Sequence, residues 1–332
     1  MFHYIMRRVL IMIPTLIVIS AVIFTIIKLP PGDYLSSYIE TLRQSHEAVD
    51  EQKIAFLRAQ FHLDEPAWKQ YLYWVSALIR GDLGYSALYD LPVSQVVGDK
   101  LLLTFIVSFS TIVFTWIVAF PIGVYSATHQ YSMSDYGLTF LGFLGLATPN
   151  FLLALVLLYF ANVHFGISIG GLMDPQYLDK PWTIAKGMSV LKHLWIPVLV
   201  IDAAGTAGMI RRLRANLLAE LQKQYFVTAR AKGLSPFRAL IKYPLRVSLN
   251  PFIADIGALL PHVISGAAVV SVVLSLPTTG PMLLEALRSQ DMYLAGSFLM
   301  FMAALTVVGV FLSDLALAWL DPRIRLEGGV TR

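Results

Sequence analysis

The sequence contains no cysteine among its 332 residues. A disulfide framework, a thiolate metal site and a cysteine nucleophile are therefore excluded. Histidine is also scarce: the seven histidines are scattered along the chain, and no pair has metal-ligand spacing on one helix face. The sequence predicts no bound metal.

Motifs that mark nucleotide-binding proteins and metalloproteases are missing as well. The chain has no Gly-x-x-x-x-Gly-Lys-Ser/Thr phosphate loop, no His-Glu-x-x-His and no Gly-x-Gly-x-x-Gly. No nucleophile in the apolar segments pairs convincingly with a base. We therefore expect a chain that does not hydrolyse ATP, binds no cofactor of its own and is not an enzyme.

Charged residues are few. They make up 14% of the chain, where a soluble protein carries about 25%. Apolar residues reach 57%, and the mean hydropathy is +0.67. The net charge of +4 gathers beside apolar runs, as the positive-inside rule predicts, and forms no continuous nucleic-acid-binding face. Most of this chain is expected to face lipid or a bilayer-buried interior.

Six apolar runs predict an all-α fold with six membrane crossings. The first run follows Arg7 and Arg8 and is about 20 residues long, which is too long for the core of a signal peptide. It is therefore interpreted as a retained helix with a cytoplasmic N-terminus. The runs are Val9–Leu29, Leu101–Ala127, Leu138–Val163, Leu194–Ile210, Ile256–Leu276 and Leu294–Leu320.

The distribution of basic residues predicts which loops lie on the cytoplasmic side of the membrane. Nine Lys or Arg lie between Arg211 and Arg246, on the same side as the N-terminus, and the short loops on the other side carry fewer. Both termini are thus expected in the cytoplasm. The predicted organisation is an N-terminal membrane helix (1–30), an extracytoplasmic helical segment (31–100), a membrane core (101–320) that includes a cytoplasmic loop (211–255), and a cytoplasmic tail (321–332).

The extracytoplasmic segment carries two helical patterns. Ser45 is expected to begin the first, and the second ends at Gly81. In the second, Trp68, Leu72, Val75 and Leu78/Ile79 form one apolar stripe, which we expect to pack on the membrane bundle. A ligand contact by these helices is an alternative that the pattern leaves open.

Asp202 is a candidate functional residue because it lies inside the fourth apolar run. Charged residues at membrane depth mark function by default. The neighbouring sequence AAGTAG has small residues that permit close helix packing. Asp202 either lines a transport pathway or forms a structural hydrogen bond, and the sequence does not choose between the two.

The densest charge of the chain lies in VTARAKGLSPFRALIKYPLR. The pattern predicts a helix over Gln224–Lys232, a left-handed stop at Gly233, and a second helix that is capped by Ser235 and begins at Pro236. Pro244 is expected to kink the second helix. Read alone, this segment is a rigid cytoplasmic protrusion or a basic stretch that contacts anionic lipid.

The same segment resembles the cytoplasmic loop signature of ABC importer permeases, in particular the dipeptide/oligopeptide/nickel branch. Further stretches similar to that family follow in the family's order: RRVLIMIPTLIVISAVIF, YLYWVSALIRGDLGYS, PVSQVVGDKLLLT, LATPNFLLALVL, LPTTGPMLLEALRSQDMYL and SDLALAWLDPRIR. The residues that the resemblance assigns to ATPase coupling are Tyr225, Thr228, Ala229, Arg230, Ala231, Lys232, Gly233 and Leu234.

The resemblance implies a type I ABC importer permease of the bacterial or archaeal inner membrane. Such a chain pairs with a second homologous permease and two ATPase subunits that bind ATP and Mg²⁺, and an extracytoplasmic solute-binding protein delivers the substrate. Alternating access would follow closure of the ATPases. Ser271 stands where the family often has Glu, and we assign it with Asp202 to the translocation pathway.

Three substrates and two other classes of protein remain as alternatives. Oligopeptides or dipeptides are expected, oligosaccharides are the alternative, and nickel is disfavoured because the apolar runs hold no cluster of His or carboxylates. An autonomous secondary transporter would show matched broken repeats and several coupling carboxylates, which the sequence does not display. A purely structural membrane anchor would not need the long basic loop.

Overall fold

The computed structural model describes residues 2–30, 32, 35–36, 39, 51–60, 62–166, 170–177 and 180–320. The predicted helix start at Ser45 and the tail at 321–332 lie outside these residues. The described helices are α1 (Phe2–Lys28), α2 (Glu51–Gln60), α3 (Ala67–Ile79), α4 (Val93–Thr128), α5 (Met133–Ala147), α6 (Asn150–Phe165), α7 (Ile184–Ile201), α8 (Ala203–Leu221), α9 (Gln224–Ala231), α10 (Pro236–Lys242), α11 (Pro244–Ser248), α12 (Asn250–Val273), α13 (Thr279–Arg288) and α14 (Met292–Leu320). A two-stranded hairpin, β1 (Tyr85–Ser86) and β2 (Leu91–Pro92), precedes α4.

The number of membrane crossings equals the predicted number only when each bent helix pair is counted as one span. In the described part of the chain, four helices are long and apolar enough to cross a membrane: α1, α4, α7 and α14. Two bent pairs bring the number of possible spans to six. The mainly helical fold is thus confirmed, and the third, fourth and fifth apolar runs are bent or interrupted.

Each of these three runs breaks at an identifiable residue. The third run bends by 104° between α5 and α6, because Thr148 precedes Pro149 and adopts an extended backbone. The fourth is interrupted at Asp202, which separates α7 from α8. The fifth, α12, bends by 67° between Gly257 and Pro261, where the proline cannot donate the backbone hydrogen bond of a regular helix.

Contacts divide the chain into two units, Met1–Thr104 with Thr278–Val308, and Phe105–Pro277 with Gly309–Arg332. In the first unit, the core gathers residues from the start of α4, α13 and the start of α14 around Val93, Met282 and Leu294. The buried carboxylate of Asp291 accepts hydrogen bonds from the Ser86 hydroxyl (2.6 Å) and from the Leu294 backbone. The β-hairpin is thereby tied to the first turn of α14.

Helix α3 lies in this first unit and buries a different face from the predicted one. Trp74 is buried, whereas Trp68, Leu72 and Ile79 of the expected stripe are exposed. Apolar residues surround most of this helix, so periodicity could not select the buried side. The helix end at Gly81, with its positive φ of 80°, is as expected.

The second unit is built around α4, α8 and α12. Leu213 of α8 and Phe252 of α12 form one core cluster with Ala119 of α4. The next residue of α8, Arg214, holds the buried carboxylate of Asp135 through two hydrogen bonds of 3.0 and 2.7 Å. Because this bidentate geometry satisfies both carboxylate oxygens, it fastens α5 to α8.

Small residues allow helices of this unit to approach closely, as the sequence AAGTAG suggested. A Cβ at Gly145 would lie 3.5 Å from the Ala203 carbonyl oxygen, which shows how near α5 runs to α8. Gly257 of α12 and Gly309 of α14 are in still closer backbone contact. Small residues at such crossings supply the packing that holds helices together in lipid.

Gly257→Ala should therefore destabilise the protein, since a methyl group has no room between α12 and α14. We expect a loss of about 1–3 kcal/mol, typical of overpacking, seen as a lower melting temperature of the purified protein in detergent. Gly266→Ala is the matched control on the same helix, because a Cβ there meets nothing within 4 Å. Equal melting temperatures for the two variants would contradict the close contact.

Candidate coupling loop and polar cavity

The first candidate site is the basic loop, residues 224–248, whose helix–break–helix course agrees with the sequence prediction. Helix α9 stops through Gly233, which has a φ of 85°. The Gly233 N–H donates to the Arg230 carbonyl (3.0 Å), and the Leu234 N–H donates to the Ala229 carbonyl (3.3 Å). This pair of bonds is a Schellman motif, which needs a residue that tolerates a left-handed backbone.

The second half of the loop differs from the prediction in one detail. Ser235 occupies the N-cap position of α10, but its side chain makes no capping hydrogen bond. Pro236 takes the first helical position, as expected. The kink expected at Pro244 is a complete break: α10 ends at Lys242, and Pro244 begins α11.

The predicted coupling residues divide into an exposed set and an inward-facing pair. Ala229 is buried and Leu234 is half-buried, which places the apolar contact of the Schellman motif on the inner side of the loop. The exposed residues are Tyr225, Thr228, Arg230, Ala231, Lys232 and Gly233. The charges of α9 therefore face outward, where a partner can reach them.

Large apolar side chains are also exposed on this loop. Val227 is 53% exposed, Phe237 70% and Ile241 47%. Basic side chains, including Arg230, Lys232 and Arg238, are exposed among them. A mixture of apolar anchors and arginine is typical of protein interfaces, and a loop that only contacted lipid head groups would not need so firm a fold.

The loop is attached firmly to α8. The Tyr225 hydroxyl donates a hydrogen bond to Glu220 near the end of α8. Partial burial and this carboxylate both raise the pKa of Tyr225, so the phenol stays protonated at neutral pH. Leu240 and Leu245 pack against Leu217 of α8. The loop can therefore move with α8 as one body.

The second candidate site is a polar cavity of about 120 Å³ in the second unit. Asp202 accepts a hydrogen bond from the Thr115 hydroxyl (3.0 Å), and Thr115 is bonded in turn to Thr206 (3.1 Å). Gly205 leaves the space that the carboxylate occupies, since a Cβ there would overlap it. The lining residues are Ile112, Thr115, Trp116, Asp202, Gly205, Met209, Arg212, Phe252, Asp255, Leu259, His262 and Val263.

A second group of charges borders the same cavity. Arg212 forms an ion pair with Asp255 at 2.8 Å, and its guanidinium lies 5.1 Å from the centre of the Phe252 ring. This pair joins α8 to α12. Arg212 pairs with Asp255, and within the described contacts Asp202 forms no salt bridge with Lys or Arg; its electrostatic neighbour on the cavity wall is His262.

Helix breaks meet at this cavity. The break at Asp202 frees the carbonyl of Ile201, which accepts a hydrogen bond from the Asn150 amide (3.1 Å) at the start of α6. The bend of α12 contributes Leu259 and His262 to the lining. Irregular backbone at membrane depth is tolerated where it is buried in protein or lines a water-filled cavity. Broken helices frequently form the substrate sites of transporters.

The two predicted pathway residues do not come together. Ser271 is buried near the end of α12, where its carbonyl accepts the Leu276 N–H (2.8 Å), and it does not line the cavity of Asp202. Its pathway role stays a prediction. Sequence reasoning missed Thr115, Asp255 and His262. Of these, only His262 had a signal, as an ionisable residue within an apolar run.

One sequence pattern resembles a hydrolase motif without its structural context. Gly166 to Gly170 reads Gly-Ile-Ser-Ile-Gly, which fits the Gly-x-Ser-x-Gly pattern of the nucleophile elbow. The elbow requires a strand before the serine, whereas here Gly166 ends α6 in a left-handed conformation (φ 59°). Residues 167–169 lie outside the described part. The pattern carries no hydrolase assignment.

Two family models match the chain. Residues 119–326 match the binding-protein-dependent transport system inner membrane component, and residues 1–89 match the N-terminal part of the same membrane component. The first match covers the basic loop and the polar cavity almost entirely.

Curated relatives are similar over nearly the full length. The chain is 33% identical to the oligopeptide transport system permease protein AppB of Bacillus subtilis, over 97% of this chain and 98% of the relative. It is 31% identical to the dipeptide transport system permease protein DppB of the same organism, with 98% and 99% covered. DppB of Escherichia coli K12 is 27% identical, again with 98% and 99% covered. The chain therefore belongs to the family of binding-protein-dependent transport system inner membrane components, the non-catalytic permease subunits of ABC importers.

Proposed function

We propose that this permease carries oligopeptides or dipeptides across the inner membrane of a bacterium or archaeon, with both of its termini in the cytoplasm. The observation that carries the substrate class is the full-length similarity to oligopeptide and dipeptide permeases. The chain forms half of the pathway and a second homologous permease forms the other half. A solute-binding protein delivers the peptide, and two ATPase subunits hold ATP and Mg²⁺.

The substrate proposal is tested by uptake into proteoliposomes. The importer is reconstituted with its second permease, its ATPases and its binding protein, and labelled di- and oligopeptides are offered with internal or external ATP. We expect ATP-dependent uptake that unlabelled peptides suppress and oligosaccharides do not. Uptake of oligosaccharides alone would contradict the peptide assignment. Uptake without the ATPases would instead indicate a secondary transporter.

The basic loop is the proposed site of ATPase coupling, within a cytoplasmic segment at 211–255. The exposed charges of α9 and the exposed Phe237 supply polar and apolar contacts for a groove on the ATPase. The Schellman stop at Gly233 keeps the two helices of the loop at a constant angle. Because Tyr225 and Leu245 attach the loop to α8, movement of the ATPases is passed to α8 as a rigid-body displacement.

Reversing one exposed charge of α9 should uncouple the importer. We expect Arg230→Glu to reduce co-purification of the ATPase subunits and to lower ATP-driven uptake at least tenfold, because a cation that faces the partner becomes an anion. The measurement is the ATPase-to-permease ratio after affinity purification, followed by the uptake assay.

Arg288→Glu serves as the matched control, since Arg288 is an exposed arginine at the end of α13. It should leave the ATPase-to-permease ratio unchanged. If Arg230→Glu also retained its ATPases and its uptake, the loop would have no part in coupling.

Asp202 is the proposed pathway residue of the polar cavity. A carboxylate on a cavity wall that forms no salt bridge with Lys or Arg among the described contacts favours passage of a group that carries positive charge, such as the ammonium of a peptide. The hydrogen bond from Thr115 orients this carboxylate toward one side of the cavity. Ser271 remains a second pathway candidate, on the resemblance alone.

Asp202→Asn should lower peptide uptake at least several-fold without changing assembly, and Thr115→Val should lower it less because the charge remains. Thr111→Val is the control for the threonine change: Thr111 lies one turn earlier on α4 and bonds only its own helix at Val107. The readouts are uptake rate and the yield of assembled importer. Unchanged uptake in Asp202→Asn, with normal assembly, would remove Asp202 from the pathway.

A further inference from the structure

Helix α3 presents an exposed apolar face in a segment that the sequence places outside the membrane. Trp68, Leu72 and Ile79 are 62%, 55% and 82% exposed. Their spacing of four and seven residues puts them on one side of the helix. Trp74 lies on the opposite side, and both Trp74 and Tyr71 contact neighbouring helices. Large exposed apolar faces mark a partner surface or a membrane.

The contact of α3 with α1 indicates its depth. The Tyr71 hydroxyl lies 2.9 Å from the Ser20 hydroxyl, and the Tyr71 ring packs edge-on against Phe24 with centroids 5.4 Å apart. Ser20 precedes the end of α1 at Lys28 by eight residues, or about 12 Å at 1.5 Å per residue. Since α1 is a candidate membrane span from Ile5 to Lys28, Tyr71 lies beside its apolar part and not beyond its end.

A second contact gives the same result from another helix. The Trp74 indole N–H donates to the Ser297 hydroxyl at 3.3 Å, and a Cβ at Gly296 would lie 3.2 Å from the Trp74 ring. Ser297 is five residues inside α14, or about 7 Å from its start at Met292. The hydrocarbon core is about 30 Å thick. Both spans therefore place α3 alongside their outer turns.

The sides of α1 that do not contact α3 are exposed and apolar. Val18, Val22 and Ile26 of α1 are each at least half exposed. Charged residues are confined to the ends of α3. Lys69 is paired with Glu65 at 3.0 Å in the first turn, and Arg80 follows the last residue. A tryptophan near such a charged end is typical of helices at the membrane interface.

We propose that α3 lies within the outer leaflet of the bilayer, with Trp68, Leu72 and Ile79 in contact with lipid acyl chains. Part of the 31–100 segment is then a membrane-embedded helix beside α1. The proposal rests on the membrane location of the family and does not depend on the transported substrate.

The polar side of α3 faces a different environment. Arg80, directly after the last residue of α3, borders an open cavity of about 270 Å³ together with Tyr73 and Asp82. This side suits water, and Arg80 supplies a control position. The rival occupants of the apolar face are the solute-binding protein and the second permease, and both are outcomes of the experiment below.

This chain contains no cysteine, so an introduced cysteine is its single labelling site. Leu72→Cys, Ile79→Cys, Arg80→Cys and Val18→Cys are labelled one at a time in the complete importer, which is assembled with cysteine-free partner subunits and reconstituted in lipid. The accessibility of each nitroxide to oxygen, which concentrates in lipid, is compared with its accessibility to a water-soluble nickel chelate. Val18 is the lipid reference, being 61% exposed on α1, and Arg80 is the water reference.

We expect Leu72 and Ile79 to show an oxygen-to-nickel ratio close to that of Val18 and several-fold above that of Arg80. Two positions are used so that a variant that fails to assemble does not leave the question open. A ratio closer to that of Arg80 overturns the proposal. Labels shielded from both reagents place the second permease on this face, and labels shielded only when the binding protein is added place that protein there. Either result also overturns it.

Discussion

This structure depends on one constraint: backbone N–H and C=O groups inside the bilayer need hydrogen-bond partners. In hydrocarbon, an N–H or C=O without a partner costs several kcal/mol, so a helix can break only where another group compensates. At Asp202 the carbonyl of Ile201 is satisfied by the amide of Asn150. The carboxylate itself is held by Thr115 and accommodated by Gly205. The polar cavity exists because these compensations gather at one place.

Helix α8 connects the two candidate sites. It begins directly after Asp202 and ends at Leu221, three residues before α9. The ion pair of Arg212 with Asp255 and the bidentate pair of Arg214 with Asp135 attach it to α12 and α5. The proposed coupling treats this fastened helix as a rigid body, with the basic loop at one end and the cavity at the other.

Local chemistry made much of the basic loop predictable. The helix stop at Gly233 and the helix start at Pro236 are as predicted, because backbone geometry at these positions depends on neighbours in sequence. At Pro244 the chain breaks where a kink was predicted. The buried face of α3 was predicted wrongly, because apolar residues occur on most sides of that helix. Ion pairs such as Asp135 with Arg214 were also missed, since 79 residues separate the partners. The detailed coupling and pathway roles remain proposals.

By itself, the sequence determined that the chain is a helical membrane protein with a rigid basic loop, and it excluded cysteine chemistry. These properties follow from composition and from turns that act over a few residues. Tertiary structure alone decided where the long apolar runs bend, which side of α3 is buried, and which polar groups surround Asp202. In a membrane helix, the side chains that face lipid and those that face protein are both apolar. Only the packing of helices that are distant in sequence shows which side chains face protein.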